Sequence, residues 1–184
     1  MNIEIGPGSN PVNENTPHIS NRKIHFTIDI SKHSLPSMVG KSTYLPFKTE
    51  SIDVFVSQHL VEHHSHKTFD RSKDDPEYGG DVVKHLREIH RCLKHRGHYE
   101  CMMPNLAFIA QAYVSMLVSG RYNFEQALQF MSWISGGQRN EYDYHYVCMD
   151  FGILSHFANL AGFKKCELLH DFSFFGLHVK MTKE

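Results

Sequence analysis

The sequence has no excess of either charge, few cysteines and no long apolar run. Lys and Arg total 19 and Asp and Glu total 20, so a formal net charge of −1 provides no electrostatic footprint for nucleic acid or an anionic membrane. The four cysteines form no C-x-x-C pair and are too few for a disulfide scaffold. The longest apolar stretch, 106–118, is too short to span a bilayer, and residues 1–10 do not resemble a secretory signal. These absences predict a cytoplasmic protein that binds neither nucleic acid nor membrane.

Apolar residues, aromatic residues and histidines are well represented. Hydrophobic residues make up 41% of the 184, including 13 Phe and 8 Tyr, so the chain can build a full core and is not globally disordered. This length predicts one domain over residues 1–184. The 15 histidines, several of them clustered after residue 58, require a test of metal chemistry.

Hydrophobic patterning predicts strands that alternate with helices. The predicted strands are 2–5, 23–30, 51–57, 98–103, 164–169 and 174–181, and the predicted helices are 81–94, 106–118, 124–134 and 149–161. In the first helix, Val82, Leu86, Ile89 and Leu93 form one apolar stripe, with Asp81 as the expected N-cap. The alternation indicates a doubly wound α/β sheet.

Three features follow one another in the order expected for a nucleotide-type cofactor site. A glycine turn, Gly6-Pro7-Gly8, follows the first strand, and its backbone N–H groups can approach a ligand closely. Asp29 ends the second strand 21 residues after Gly8, close to the spacing expected of a carboxylate that binds a ribose. The apolar strand 52–56 then ends in polar residues at the same predicted sheet edge.

Several segments resemble motifs of the class I S-adenosylmethionine (SAM)-dependent methyltransferases, specifically a small, compact branch often predicted near cell-surface glycan genes. They are IEIGPG at 3–8, TIDIS at 27–31, YLPF at 44–47, SIDVFVSQHLVEH at 51–63, LREIHRCLKHRG at 86–97, and the segment from DYH at 143–145 to LAGF at 160–163. The resemblance implies a Rossmann-like domain with an antiparallel C-terminal strand and a reduced first helix. It also implies methyl transfer from SAM to a small-molecule or glycan acceptor without a metal. Residues 120–146 would form a wall or lid over the substrate.

The resemblance assigns roles to particular residues. The cofactor-binding set would be Glu4, Gly6, Pro7, Gly8, Asp29, Ile30, Leu45, Ser57 and Gln58. Within it, Asp29 would hold the ribose, and the backbone at 57–58 would border the methionine portion. His59 and His63 would face the acceptor. His145 would be catalytic, since an imidazole with a pKa near 6.5 can accept a proton from an attacking hydroxyl.

Two other interpretations remain open at this point. His59, Glu62 and His63 also match H-x-x-E-H, a zinc-peptidase signature that needs both histidines on one face of a long helix, with the glutamate as general base. A later acidic ligand, Glu125 or Glu141, would complete such a zinc-dependent hydrolase. The other interpretation is a non-catalytic SAM-binding domain, which would keep the glycines and Asp29 but need no base.

Overall fold

The computed structural model describes residues 1–8, 23–68, 72, 74–140, 142–170 and 176–184. Within these residues, seven strands form one sheet in the order β3-β2-β1-β4-β5-β7-β6. Their bounds are β1 Asn2–Ile5, β2 Phe26–Asp29, β3 Met38–Val39, β4 Ile52–Gln58, β5 Leu93–Pro104, β6 Lys165–His170 and β7 Gly176–Thr182. Strands β1 to β5 pair in parallel, whereas β7 runs antiparallel to β5 and β6. The prediction of a mostly parallel sheet with an antiparallel C-terminal strand is therefore confirmed.

Side-chain caps define where most of the helices begin. The helices are α1 Gly80–Cys92, α2 Leu106–Val118, α3 Phe124–Ser135 and α4 Phe151–Ala161, with 3-10 turns at Lys32–Ser34 and Val61–His63. Asn105, Asn123 and Asp150 each accept a backbone N–H of the first turn that follows, which satisfies donors that have no partner inside the helix. No helix in the described part of the chain is long and apolar enough to cross a membrane.

The main core lies between the sheet and the helices α1 and α4. Val82, Leu86 and Ile89, three of the stripe residues predicted from the sequence, are fully buried or nearly so, and Leu154 and Phe157 of α4 belong to the same apolar cluster. These helices pack on a face of the sheet, and the carboxyl ends of its parallel strands lie at one edge. There the order reverses, because β1 pairs with both β2 and β4. Open α/β sheets bind ligands at such a reversal.

Helix α1 differs from the prediction at both ends. It begins at Gly80 after Gly79, which adopts a left-handed conformation (φ 84°) and makes no side-chain cap, so Asp81 is not the N-cap. The carbonyl of Ser65, from a distant segment, instead accepts the Val82 N–H at 3.1 Å. Leu93 leaves the helix and begins β5, because it pairs with Ile52 of β4. Long-range partners override the local pattern at both ends.

The remaining differences are small. Helix α4 begins two residues later than predicted because Asp150 caps it and Met149 forms a bridge with Asn105. The two-residue strand β3 was not predicted. The segment 12–21, interpreted as loop in place of a full first helix, and the predicted start of the last strand at Phe174 lie outside the described residues.

Candidate cofactor and acceptor site

The glycine turn after β1 is held in a conformation that suits glycine. Gly6 and Gly8 have positive φ angles of 66° and 54°, a region that other residues enter at a cost. The Gly6 N–H donates to the carbonyl of Ile28 at 2.7 Å, so the turn is fastened to β2. A Cβ on Gly6 would lie 2.8 Å from the Leu60 side chain, whereas a Cβ on Gly8 would meet no atom of the described residues within 4 Å. Gly8 therefore borders open space that a ligand can fill.

Asp29 connects the two loops that follow β1 and β2. Its side chain is buried (7% exposed) and its Oδ2 accepts the Gly8 N–H at 2.9 Å. Its Oδ1 accepts the Ser31 N–H at 2.8 Å. A carboxylate offers about four lone-pair positions, so each oxygen can accept a further bond from a ligand hydroxyl. This arrangement fits the role predicted for Asp29.

A cavity of about 650 Å³ opens at the carboxyl ends of β1, β2 and β4, a size typical of small-molecule sites. Six residues of the predicted site line it: Gly6, Gly8, Asp29, Ile30, His59 and His63. Six others are described but do not line it: Glu4, Pro7, Leu45, Ser57, Gln58 and His145. Glu4, Leu45 and Ser57 are buried in the core, which explains why their side chains do not reach the cavity.

Other lining residues were not predicted as site residues. They come mainly from the segments after β2 and β3, from the segment after β4 and from the loop after α3: Ser31, His33, Ser34, Gly40, Lys41, Ser42, Thr43, Leu60, His64, Asn140, Tyr142, Tyr144 and Tyr146. Of these, Asn140, Tyr142, Tyr144 and Tyr146 fall within residues 120–146, the segment expected to form a wall or lid over the substrate. The serines and His33 carry no pattern that sets them apart from ordinary loop residues.

The segment after β4 places an imidazole and a carboxylate together. His59 has a positive φ of 52°, and its Nδ1 lies 3.0 Å from Oε1 of Glu62, a residue with no exposed surface. The hydrogen bond to Glu62 raises the pKa of His59. The side chain of His59 is about half exposed (51%) and lines the cavity. The buried carboxylate thus has an imidazole partner at the cavity wall, and their hydrogen bond favours the protonated form of that ring.

His63 and His145 form a second pair. Their rings meet edge to face, with centroids 4.9 Å apart. The Nδ1 of His63 lies 2.9 Å from the carbonyl of Tyr144, and the Nδ1 of His145 lies 2.9 Å from the carbonyl of Trp133. A carbonyl only accepts, so both Nδ1 atoms carry a proton, and Nε2 is the atom of each ring that can offer a lone pair. Burial lowers the pKa of His145, which favours the neutral form of its ring.

The zinc-hydrolase interpretation of His59, Glu62 and His63 is wrong in its geometry. It needs a long helix that carries both histidines, but β4 continues to Gln58 and the next helical turn spans only Val61–His63. His59 lies outside that turn and is bonded to the glutamate that should be free to act as general base.

Two further histidines are explained by the core. His64 contacts the Ser42 hydroxyl (3.0 Å), and its ring packs against His85, with centroids 4.8 Å apart. His85 Nε2 in turn lies 3.1 Å from the Tyr99 hydroxyl. Burial lowers the pKa of His64 to about 4 and that of His85 well below its usual value. Both rings are therefore neutral near pH 7, that of His64 at the cavity wall and that of His85 in the core.

Comparison with known proteins agrees with this geometry. A family profile described as methyltransferase domain matches residues 3–101, more than half of the chain. No curated protein sequence matches this chain.

Several solved structures share the fold at low sequence identity. A SAM-dependent methyltransferase from Thermotoga maritima, described as a possible histamine N-methyltransferase, superposes with a TM-score of 0.61 at 15% identity, covering 100% of this chain and 81% of that chain. Human N-acetylserotonin methyltransferase in complex with SAM gives a TM-score of 0.62 at 12% identity, covering 99% of this chain and 47% of the human one. A Haloferax volcanii methyltransferase solved with its Trm112 activator gives 0.58 at 14% identity, covering 98% and 80%. The family match, the strand order and the glycine turn with Asp29 together lead to one conclusion: the chain belongs to the class I SAM-dependent methyltransferases.

Proposed function

We propose that the protein transfers a methyl group from SAM to a small-molecule or glycan acceptor held in the cavity at the carboxyl edge of the sheet. The observation that carries the cofactor part is the buried carboxylate of Asp29, which ties the glycine turn to the loop after β2 through two backbone N–H groups. The acceptor part rests on the tyrosines at the cavity wall and on the small net charge of −1.

The residues present fit the cofactor. Gly8 leaves room where any other residue would carry a Cβ, and Asp29 keeps lone pairs for the ribose hydroxyls. The other predicted cofactor-binding residues do not line the cavity, so their proposed role is to support the residues that do: Glu4, Pro7, Leu45, Ser57 and Gln58. When bound, SAM supplies a methyl group made electrophilic by its positively charged sulfur. The task of the protein is to hold an acceptor atom in line with that methyl group.

The histidines give the acceptor end its polar character. His59 and His63 line the cavity and can hydrogen-bond an acceptor, whereas His145 lies against His63 and not on the cavity surface. In the proposed reaction, the hydroxyl group of the methyl acceptor loses its proton to the Nε2 of His145. The ring of His145 lies next to that of His63, which lines the cavity. His145 is suited to this role because burial keeps it neutral.

The acceptor class is inferred from the exposed tyrosines. Tyr142, Tyr144 and Tyr146 line the cavity while 55%, 43% and 59% of their respective surfaces remain exposed. Such rings offer flat apolar faces with polar tips, which suit sugars and small ring compounds. They lie within residues 120–146, the proposed wall over the substrate in a single domain spanning 1–184. A cytoplasmic location stays a prediction from the sequence.

The experiment is a methyl-transfer assay with tritiated SAM and a panel of hydroxylated small molecules, amines and soluble glycans. We expect S-adenosylhomocysteine (SAH) to form with at least one small-molecule or glycan acceptor. His145→Gln should lower kcat by about 100-fold, the usual contribution of a positioned base, without changing SAH affinity. Tight SAH binding without turnover on any acceptor would instead favour the non-catalytic SAM-binding domain.

A further inference from the structure

A mixed cluster of metal-ligating side chains lies at the wall of the cavity. One donor atom from each of Glu62, His63 and His145 lies within 4.8 Å of the other two. From this cluster we propose that the protein binds a Zn²⁺ ion through Glu62, His63 and His145, and that the ion receives an oxygen of the acceptor. The second half of the proposal rests on the proposed function, since that function locates the acceptor.

Both imidazoles are already oriented as metal ligands. Each donates its Nδ1–H to a backbone carbonyl, that of Tyr144 for His63 and that of Trp133 for His145, both at 2.9 Å. Histidine ligands of zinc almost always donate the other ring N–H to a carbonyl or carboxylate, which fixes the tautomer and the ring orientation. The Nε2 lone pair of each ring is therefore available to a metal.

The carboxylate of Glu62 lacks a second partner. The residue has no exposed surface, its Oε1 is bonded to His59, and its Oε2 has no hydrogen-bond partner in the described part of the chain. A fully buried carboxylate is costly unless it is well paired or binds a metal. Its partner His59 is half exposed and bonds only Oε1. A divalent cation would add positive charge at the carboxylate and bind the oxygen that His59 leaves unpaired.

The backbone fixes the distance between the parts of the cluster. The carbonyl of Glu62 accepts the N–H of Tyr146 at 2.8 Å and that of Val147 at 3.3 Å, and these residues directly follow His145. The His145 N–H donates to the carbonyl of Ser135 at 3.1 Å. The loop that carries His145 is thus anchored to the residue that carries the carboxylate, an arrangement that holds a site on a rigid support.

The ligand set differs from the one that the H-x-x-E-H pattern implies. Glu62 becomes a ligand, and His59 becomes an outer residue that hydrogen-bonds the ligating carboxylate, as such carboxylates commonly require. His145, 82 residues after His63, replaces the first histidine of the motif. Two histidines and one glutamate that leave a fourth position open form a ligand set of catalytic zinc sites.

A small closure completes the geometry. Tetrahedral ligands at about 2.0–2.1 Å from zinc lie roughly 3.3 Å apart, so the donor atoms, now within 4.8 Å, would approach by at most about 1.5 Å. His63 lines the cavity, so the open position adjoins it. That position suits a hydroxyl oxygen of the acceptor, whose pKa the ion would lower so that its proton is lost to solvent. The acceptor class is thereby narrowed to hydroxylated compounds. With the ion bound, His145 acts as a ligand, and it serves as the base of the proposed function only in the metal-free protein.

The experiment measures Zn²⁺ binding to the metal-stripped protein by competition with a chromophoric chelator. Glu62→Gln, His63→Ala and His145→Ala are the ligand variants, His59→Ala is the outer variant, and His66→Ala is the control. His66 lies in the same histidine-rich segment but its Nδ1 bonds the Thr68 hydroxyl. We expect one Zn²⁺ per wild-type chain, a loss of more than 100-fold in each ligand variant, a loss of about 10- to 100-fold in His59→Ala, and no change in His66→Ala.

Two further measurements keep the outcomes distinct. Co²⁺ in place of Zn²⁺ should give the visible absorption of a tetrahedral site in wild type and lose it in His145→Ala, a loop variant that does not depend on replacing the buried Glu62. SAH binding is measured on the same samples. Wild-type protein that binds SAH but no Zn²⁺, or ligand variants that bind Zn²⁺ as tightly as wild type, would overturn the metal site and leave the proposed function standing. Failure to bind SAH would refute the proposed function instead.

Discussion

Removing the carboxylate of Asp29 should abolish tight cofactor binding while leaving the fold intact. In the structure this group accepts two backbone N–H groups, from Gly8 at 2.9 Å and Ser31 at 2.8 Å, and faces the cavity. A hydrogen bond to a charged group contributes about 1.5–3 kcal/mol. Removing this acceptor from two ribose hydroxyls would therefore weaken cofactor binding by about 3 kcal/mol, or roughly 100-fold in Kd.

The assay is isothermal titration calorimetry with SAH on wild type, Asp29→Ala and Asp29→Asn. The asparagine variant keeps the shape but turns an NH₂ group toward one of the two backbone donors, so we expect it to lose nearly as much affinity as alanine. Asp53→Asn is the matched control, because Asp53 pairs with the N-terminus and Lys94 at the surface. SAH affinity in both Asp29 variants within about threefold of wild type, with unchanged thermal melting, would refute the reasoning.

Three further predictions concern other parts of the structure. Gly6→Ala should destabilise the protein by more than about 2 kcal/mol in urea unfolding, because its Cβ would clash as well as strain the backbone, whereas Gly8→Ala should cost only about 1 kcal/mol yet weaken SAH binding at least tenfold. The hydrogen bond from Arg91 lowers the pKa of Glu88, so the stability that this pair contributes is present above the ordinary carboxyl pKa and is lost as pH falls through the lowered value. The difference in unfolding free energy between wild type and Glu88→Gln should therefore shrink from pH 7 to pH 3. A difference that stays constant would contradict this. Burial raises the pKa of Cys92 to about 11, so this thiol should resist alkylation at pH 8 in the native protein and react in denaturant, as mass spectrometry can read directly.

Local patterns predict those parts of the fold that local chemistry determines. The apolar run of β4 and the asparagine and aspartate caps of α2 and α4 are visible in the sequence because each acts on residues a few positions away. The N-terminus of α1 is not, since the carbonyl that satisfies its first turn comes from Ser65. The two-residue strand β3 carries no pattern either, as Met38 and Val39 are exposed and held by pairing with β2.

The candidate site divides in the same way. Gly8 and Asp29 can be found from spacing, because the chain between two adjacent parallel strands sets it. His59 and His63 follow β4 and are found by their motif. The contact of His145 with His63 depends on how a loop 82 residues later in the chain folds back over the sheet. No periodicity in the sequence predicts that these two rings meet.

The most direct test of the account is a crystal structure of the protein with SAH. We predict that the ribose hydroxyls lie within hydrogen-bond distance of the Asp29 carboxylate and that the ligand passes over the turn at Gly6 and Gly8. SAH bound elsewhere on the chain, or with its ribose away from Asp29, would contradict the cofactor site on which the proposed function depends.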